Sequence, residues 1–149
     1  MQQPGPPSVT VEGDALDVSF DNNHADMQRA IDGVDEAIES RPMTAKRKYA
    51  IRLALDELLS NVVKYAHDDG QTHRIEARLE MGVPCELTIR DDGRPFNPLE
   101  DAPPPVLDGP IEERPIGGLG LHMIVSMGMK LDYRRENGRN VLRVAFPEE

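Results

Sequence analysis

Apolar and polar residues follow two rhythms along this chain, and the switches between them mark out its elements. Residues 9–11 and 15–20 alternate apolar with polar, with Gly13-Asp14 between them, which predicts a hairpin or a bent edge strand. From residue 22 the period lengthens. Met27, Ala30, Ile31, Val34 and Ile38 share one helical face, Asn22 or Asn23 supplies an N-cap, and Arg41-Pro42 ends the helix near Ser40. Thr44 then caps a second helix expected to run to about His67. Its clearest part is AIRLALDELLSNVVKYAH, residues 50–67, where Ile51, Leu55, Leu58, Leu59, Val62 and Ala66 form one stripe. Beside that stripe lie Glu57, Asn61 and Lys64, spaced four and three apart.

The rhythm of two returns at residues 74–81 and 85–90. Ile75, Ala77, Leu79 and Met81 lie on one face and Leu87 and Ile89 on the next, as in an antiparallel hairpin. Residues 91–116 carry seven prolines and little periodicity. A stretch of about 25 residues without structure is unusual in a compact domain; it reads as a disordered insertion or as a lid over a site, and the Gly-containing motifs at both ends favour the lid. Residues 118–127 read as a short helix with Leu121, Ile124 and Val125 inward. Two last strands, 130–135 and 141–146, turn at Asn137-Gly138. The expected fold is α+β, a two-layer sandwich of a mainly antiparallel sheet with helices on one face. Residues 1–7 read as a tail and 8–149 as one domain, with the lid at about 93–117.

Composition narrows the function. Seventeen basic against 27 acidic residues leave a net charge of −10, which repels nucleic acid and anionic membranes. One cysteine, Cys85, forms no internal disulfide and fits a reducing compartment. Neither a signal peptide nor an apolar span appears, so a soluble cytoplasmic protein is expected.

Three polar clusters fall at element ends: Glu57-x-x-x-Asn61, then Asp91-Asp92-Gly93-Arg94-Pro95-Phe96-Asn97-Pro98, then Gly117-Gly118-Leu119-Gly120-Leu121. Each has an ordinary reading as well: a solvated helix margin, a turn, a glycine-rich loop. Their physics also suits a nucleotide. Glycines before a helix let backbone N–H groups approach phosphate. An asparagine oxygen is a hard donor for Mg²⁺. A strand-end carboxylate can accept from an exocyclic amine. Lys64 and Arg114 are candidate cations for phosphate oxygens, and the bland alternative for each is a surface charge.

In order and spacing, ELLSNVVKYAH, DDGRPFNP and GGLGLHMI resemble the N, G1 and G2 boxes of the GHKL (Bergerat-fold) ATPase and kinase superfamily. The resemblance spans nearly the whole chain and is strongest to the free-standing anti-sigma-factor serine/threonine kinases of the RsbW and SpoIIAB type. It implies a histidine-kinase-like ATPase fold with ATP and Mg²⁺ as cofactors. Asn61 would then ligate the metal, Asp91 hold the adenine amine, and Gly93 allow the ring to approach. Gly117, Gly118, Leu119, Gly120 and Leu121 would face the phosphates and Glu57 act as general base, as phosphoryl transfer requires little beyond positioning and one proton acceptor. Tyr65 stands where relatives often carry histidine, and no catalytic role is expected for His67 or His122. His24 and His73 read as surface residues. The implied function is an anti-sigma kinase that phosphorylates a STAS-domain anti-anti-sigma partner, binds a sigma factor, and forms a homodimer. The alternative is a nucleotide-gated module that sequesters a regulator without catalysis.

Overall fold

The computed structural model describes residues 3–101 and 119–149. Its strands are β1 (Ser8–Glu12), β2 (Ala15–Asp21), β3 (Arg74–Glu80), β4 (Glu86–Asp91), β5 (Lys130–Glu136) and β6 (Arg139–Ala145). They form a six-stranded sheet in the order β1-β2-β3-β4-β6-β5, with every neighbouring pair antiparallel. The helices are α1 (His24–Ile38), α2 (Ala45–Asn61), the short α3 (Pro98–Asp101) and α4 (Leu119–Ser126). This is the expected α+β sandwich.

The helices start where side chains can satisfy their first N–H groups. Asn23 Oδ1 accepts from Asp26 N at 2.8 Å, and Thr44 Oγ1 accepts from Arg47 N at 3.0 Å. Such caps contribute about 1 kcal/mol each. The five apolar residues expected on the inner face of α1 are all buried. They meet Ile51, Leu55, Leu58 and Leu59 of α2 and the inward residues Leu16, Val18, Phe20, Ile75, Leu79, Leu87 and Ile89 of the sheet. Arg52 of α2 pairs with Asp32 and Asp35 of α1 and with Asp56, joining the outer edges of the two helices. At the far end of the sheet Asn137 and Gly138 both have positive φ, 52° and 74°, the geometry that a two-residue hairpin turn demands.

Three local expectations change. The second helix is α-helical only to Asn61, and Val62–Ala66 forms a wider π-helical turn. Val125 is exposed on α4, and Ile124 carries that helix into the core. Pro98–Asp101 forms a helix inside the segment read as a lid, while residues 102–118 lie outside the described residues. Near the N-terminus, Arg74 donates to the carbonyls of Gly5 and Pro6 at 2.7 and 2.6 Å.

Cys85 is buried, and burial pushes its thiol above the ordinary value of 9.0, only partly offset by Arg47. The thiolate is the reactive form. An aromatic disulfide reagent is therefore expected to react slowly with the folded protein and rapidly in denaturant. Fast stoichiometric reaction without denaturant would contradict this burial.

Candidate nucleotide site

The register between β4 and β6 sets the floor of the site. Leu87 pairs with Val144, Ile89 with Leu142 and Asp91 with Asn140, so the core stripe of both strands ends in one polar pair. Both side chains are buried, Asp91 at 2 % exposure and Asn140 at 4 %. Asp91 Oδ1 accepts from Gly93 N at 2.9 Å and from Asn140 Nδ2 at 3.0 Å. Among the described residues no hydrogen bond reaches Oδ2. Burial raises the Asp91 carboxyl above its ordinary 3.8, and the hydrogen bonds from Asn140 and Gly93 oppose the rise.

Asn140 has no role in the sequence reading, yet it ties the loop after β4 together. Its Nδ2 also donates to Arg94 O at 2.8 Å. Its Oδ1 accepts from Phe96 N, the Tyr133 hydroxyl and Arg135 Nη1. Arg135 Nη1 donates to Gly93 O at 2.7 Å as well. The available signal was an asparagine at core parity one position inside a hairpin strand, where an apolar residue is the ordinary choice.

The same loop is stitched to the π-helical turn. Arg94 N donates to Ala66 O at 2.8 Å, and Arg94 Nε to Tyr65 O at 2.7 Å. The Tyr65 and Phe96 rings stack with centroids 5.5 Å apart. These bonds occupy carbonyls at the end of the helix, and i→i+5 turns of this kind recur at functional sites. A Cβ on Gly93 would lie 2.2 Å from Ala66 O and 2.9 Å from Asp91 Oδ1. The chain itself thus requires glycine here, independently of any ligand. Gly93→Ala is expected to destabilise the fold by about 1–3 kcal/mol, read as a lower denaturant midpoint at unchanged slope. An unchanged midpoint would show that the loop yields freely.

The opposite wall is α2 against α4. Glu57 and Asn61 lie one turn apart, and a Cβ on Gly120 would fall 2.4 Å from Glu57 Oε2. The glycine lets the first turn of α4 rest on the carboxyl group. Asn61 is 5 % exposed, and its Nδ2 is buried without a partner among the described residues. A half-turn of the amide exchanges O for N. The residue can therefore offer an oxygen from that position, so it fits a hard cation. Lys64 is exposed. The widened turn breaks the three- and four-residue spacing on which its place beside Asn61 depended. Leu119 is exposed and Leu121 half-buried on α4. The expected contributions of Arg114, Gly117 and Gly118 lie outside the described residues.

Two histidines lie behind this floor: His67, for which no catalytic role is expected, and His73, which reads as a surface residue but has a side chain only 14 % exposed. His67 follows the π-helical turn, its side chain 3 % exposed, and His73 precedes β3. Their rings stack at 4.4 Å. Burial disfavours the charged form of His73, but the Asp69 hydrogen bond and the Asp92 charge outweigh it and raise the imidazole above 6.5.

A six-stranded antiparallel sheet in the order β1-β2-β3-β4-β6-β5, with its helices packed beside it, is the Bergerat type of sandwich. The chain belongs to the histidine kinase-like ATPase domain family, whose model matches residues 20–146. It is 29 % identical over 100 residues to the serine/threonine-protein kinase BtrW of Bordetella bronchiseptica, covering 66 % of this chain and 70 % of that protein. Its fold matches the histidine kinase domain of a blue-light activated histidine kinase from Erythrobacter litoralis with a TM-score of 0.50 at 19 % identity. That match covers 83 % of this chain and 59 % of the other. The family implies ATP binding. No helix among the described residues is long and apolar enough to cross a membrane.

Proposed function

We propose that the chain is an ATP- and Mg²⁺-dependent serine/threonine protein kinase acting in the cytoplasm as an anti-sigma factor. In this reading it phosphorylates a STAS-domain anti-anti-sigma partner, alternatively binds a sigma factor, and works as a homodimer. The observation that carries the kinase reading is the convergence of Glu57, Asn61 and Gly120 on one wall of the site. Similarity to a serine/threonine-protein kinase supports the substrate class.

When bound, Mg-ATP supplies the phosphoryl group and the neutralisation of its charge. Asp91 Oδ2 would accept a hydrogen bond from the adenine amine while Oδ1 stays committed to Gly93 and Asn140. The buried Asn61 amide would hold the cation. Glu57 would take the proton of the attacking hydroxyl, the one proton acceptor this chemistry needs. Gly120 keeps the head of α4 close enough to fix that carboxyl group.

The test is incubation with γ-labelled Mg-ATP and a STAS-domain protein from the same source. Label on a serine or threonine of the partner is expected. Tight ATP binding with the partner left unlabelled would replace the kinase with a nucleotide-gated binding module.

A further inference from the structure

The two histidines behind the adenine floor belong to a cluster that the kinase chemistry does not use. His67 immediately follows the π-helical turn, His73 immediately precedes β3, and Asp92 immediately follows β4. His73 Nδ1 lies 3.0 Å and His67 Nε2 3.5 Å from the same oxygen, Asp92 Oδ1. One candidate donor atom from each residue lies within 4.8 Å of the other two, the only such three-residue group among the described residues. A cavity of about 170 Å³ opens beside them, lined in part by His67, His73, Asp92 and Asp69.

Two observations raise this above a chance meeting of polar groups. First, both ring nitrogens of His67 are buried and make no hydrogen bond among the described residues. A buried imidazole without partners is costly. Its neighbour Asp91 does not relieve it, since Asp91 Oδ1 is 4.0 Å away and already accepts two hydrogen bonds. Second, His73 is held as a metal-binding imidazole is held. Its Nε2 lies 2.7 Å from Asp69 Oδ2. With the proton on Nε2 for that carboxylate, Nδ1 presents its lone pair toward Asp92 Oδ1. A carboxylate behind a histidine fixes the tautomer and raises the basicity of the ligating nitrogen. The backbone is fixed too: His73 N donates to Asn22 Oδ1 at 2.9 Å, and Asn22 N to His73 O at 3.0 Å.

We propose that His67, His73 and Asp92 form a binding site for one divalent transition-metal cation of the zinc type, with Asp69 orienting His73. Two imidazole nitrogens and one carboxylate oxygen suit zinc, cobalt or nickel, whereas magnesium and calcium prefer all-oxygen sets. Three protein ligands leave a fourth position open to the cavity. To close around an ion with bonds of about 2.0–2.2 Å, the two stacked rings must turn about their side-chain bonds until a nitrogen of each faces the ion beside Asp92 Oδ1. The site is distinct from the one assigned to Asn61 and requires no nucleotide.

The experiment uses tag-free protein in chelator-treated, nucleotide-free buffer, with Co²⁺ as the probe. One equivalent is expected to produce a saturable visible absorption band, abolished by one equivalent of Zn²⁺ and unchanged by excess Mg²⁺. His67→Asn and His73→Asn are each expected to weaken Co²⁺ binding at least tenfold, while His24→Asn leaves it unchanged. Co²⁺ is also expected to raise the melting temperature of the wild type and of His24→Asn. The wild-type titration stands even if a variant fails to fold. No saturable band, displacement by Mg²⁺, or full affinity in both folded histidine variants would overturn the proposal.

Discussion

Glu57→Gln is expected to keep ATP binding within about twofold and to lower phosphotransfer by about 10²–10⁴-fold, the usual contribution of a positioned general base. Glutamine preserves the shape that rests against Gly120 but cannot take a proton at neutral pH. The two quantities must be read separately. Fluorescent-nucleotide titration gives the affinity, and single-turnover labelling of the partner gives the chemical step. Loss of both together would mean that the substitution disturbs the wall between α2 and α4. Full transfer by the variant would remove Glu57 from the mechanism and leave proton acceptance to another group.

The second large effect is expected at Asp91. Asp91→Asn should weaken ATP at least about 100-fold, near 3 kcal/mol, while the folded state keeps its stability within about 1 kcal/mol. Gly93 N and Asn140 Nδ2 both donate to Oδ1, and an asparagine oxygen in that place accepts both. The change falls on the other atom. Oδ2 becomes an NH₂ group, so a donor faces the adenine amine, which is itself a donor. Removing a buried carboxylate also removes a desolvation cost, which is why stability should hold. Calorimetric titration with ATP and a denaturant curve on the same sample separate the two effects. Unimpaired ATP binding would show that adenine does not reach this carboxyl group.

Short-range patterning made much of the fold legible. Asn23 and Thr44 cap the helices, the inner face of α1 follows its three- and four-residue spacing, and Asn137-Gly138 turns the last hairpin. The residues that failed depend on partners far along the chain. Asn140 matters because register sets it opposite Asp91, 49 positions away. The π-helical turn forms where Arg94, nearly thirty residues on, takes the carbonyls of Tyr65 and Ala66. Val125 misled because a short apolar helix offers more than one face to bury, and packing of α4 into the core chose Ile124. His73 read as a surface residue because its neighbours in sequence are polar, while its neighbours in space are His67 and Asp92.

The wide turn at Val62–Ala66 also sets a phase. An α-helix advances each side chain by about 100°, and the wider turn takes up one extra residue in nearly the same rotation. Deleting a single residue between 62 and 66 would let α2 continue unbroken with the aim of the next side chain, His67, nearly kept, whereas drawing the present residues into α-helix would turn His67 away from Asp92 by roughly 100°. The width of this turn and its residue count are therefore tied to each other more strictly than to residue identity. A conservative replacement of Val63 changes one contact, whereas tightening the turn at constant length misdirects His67.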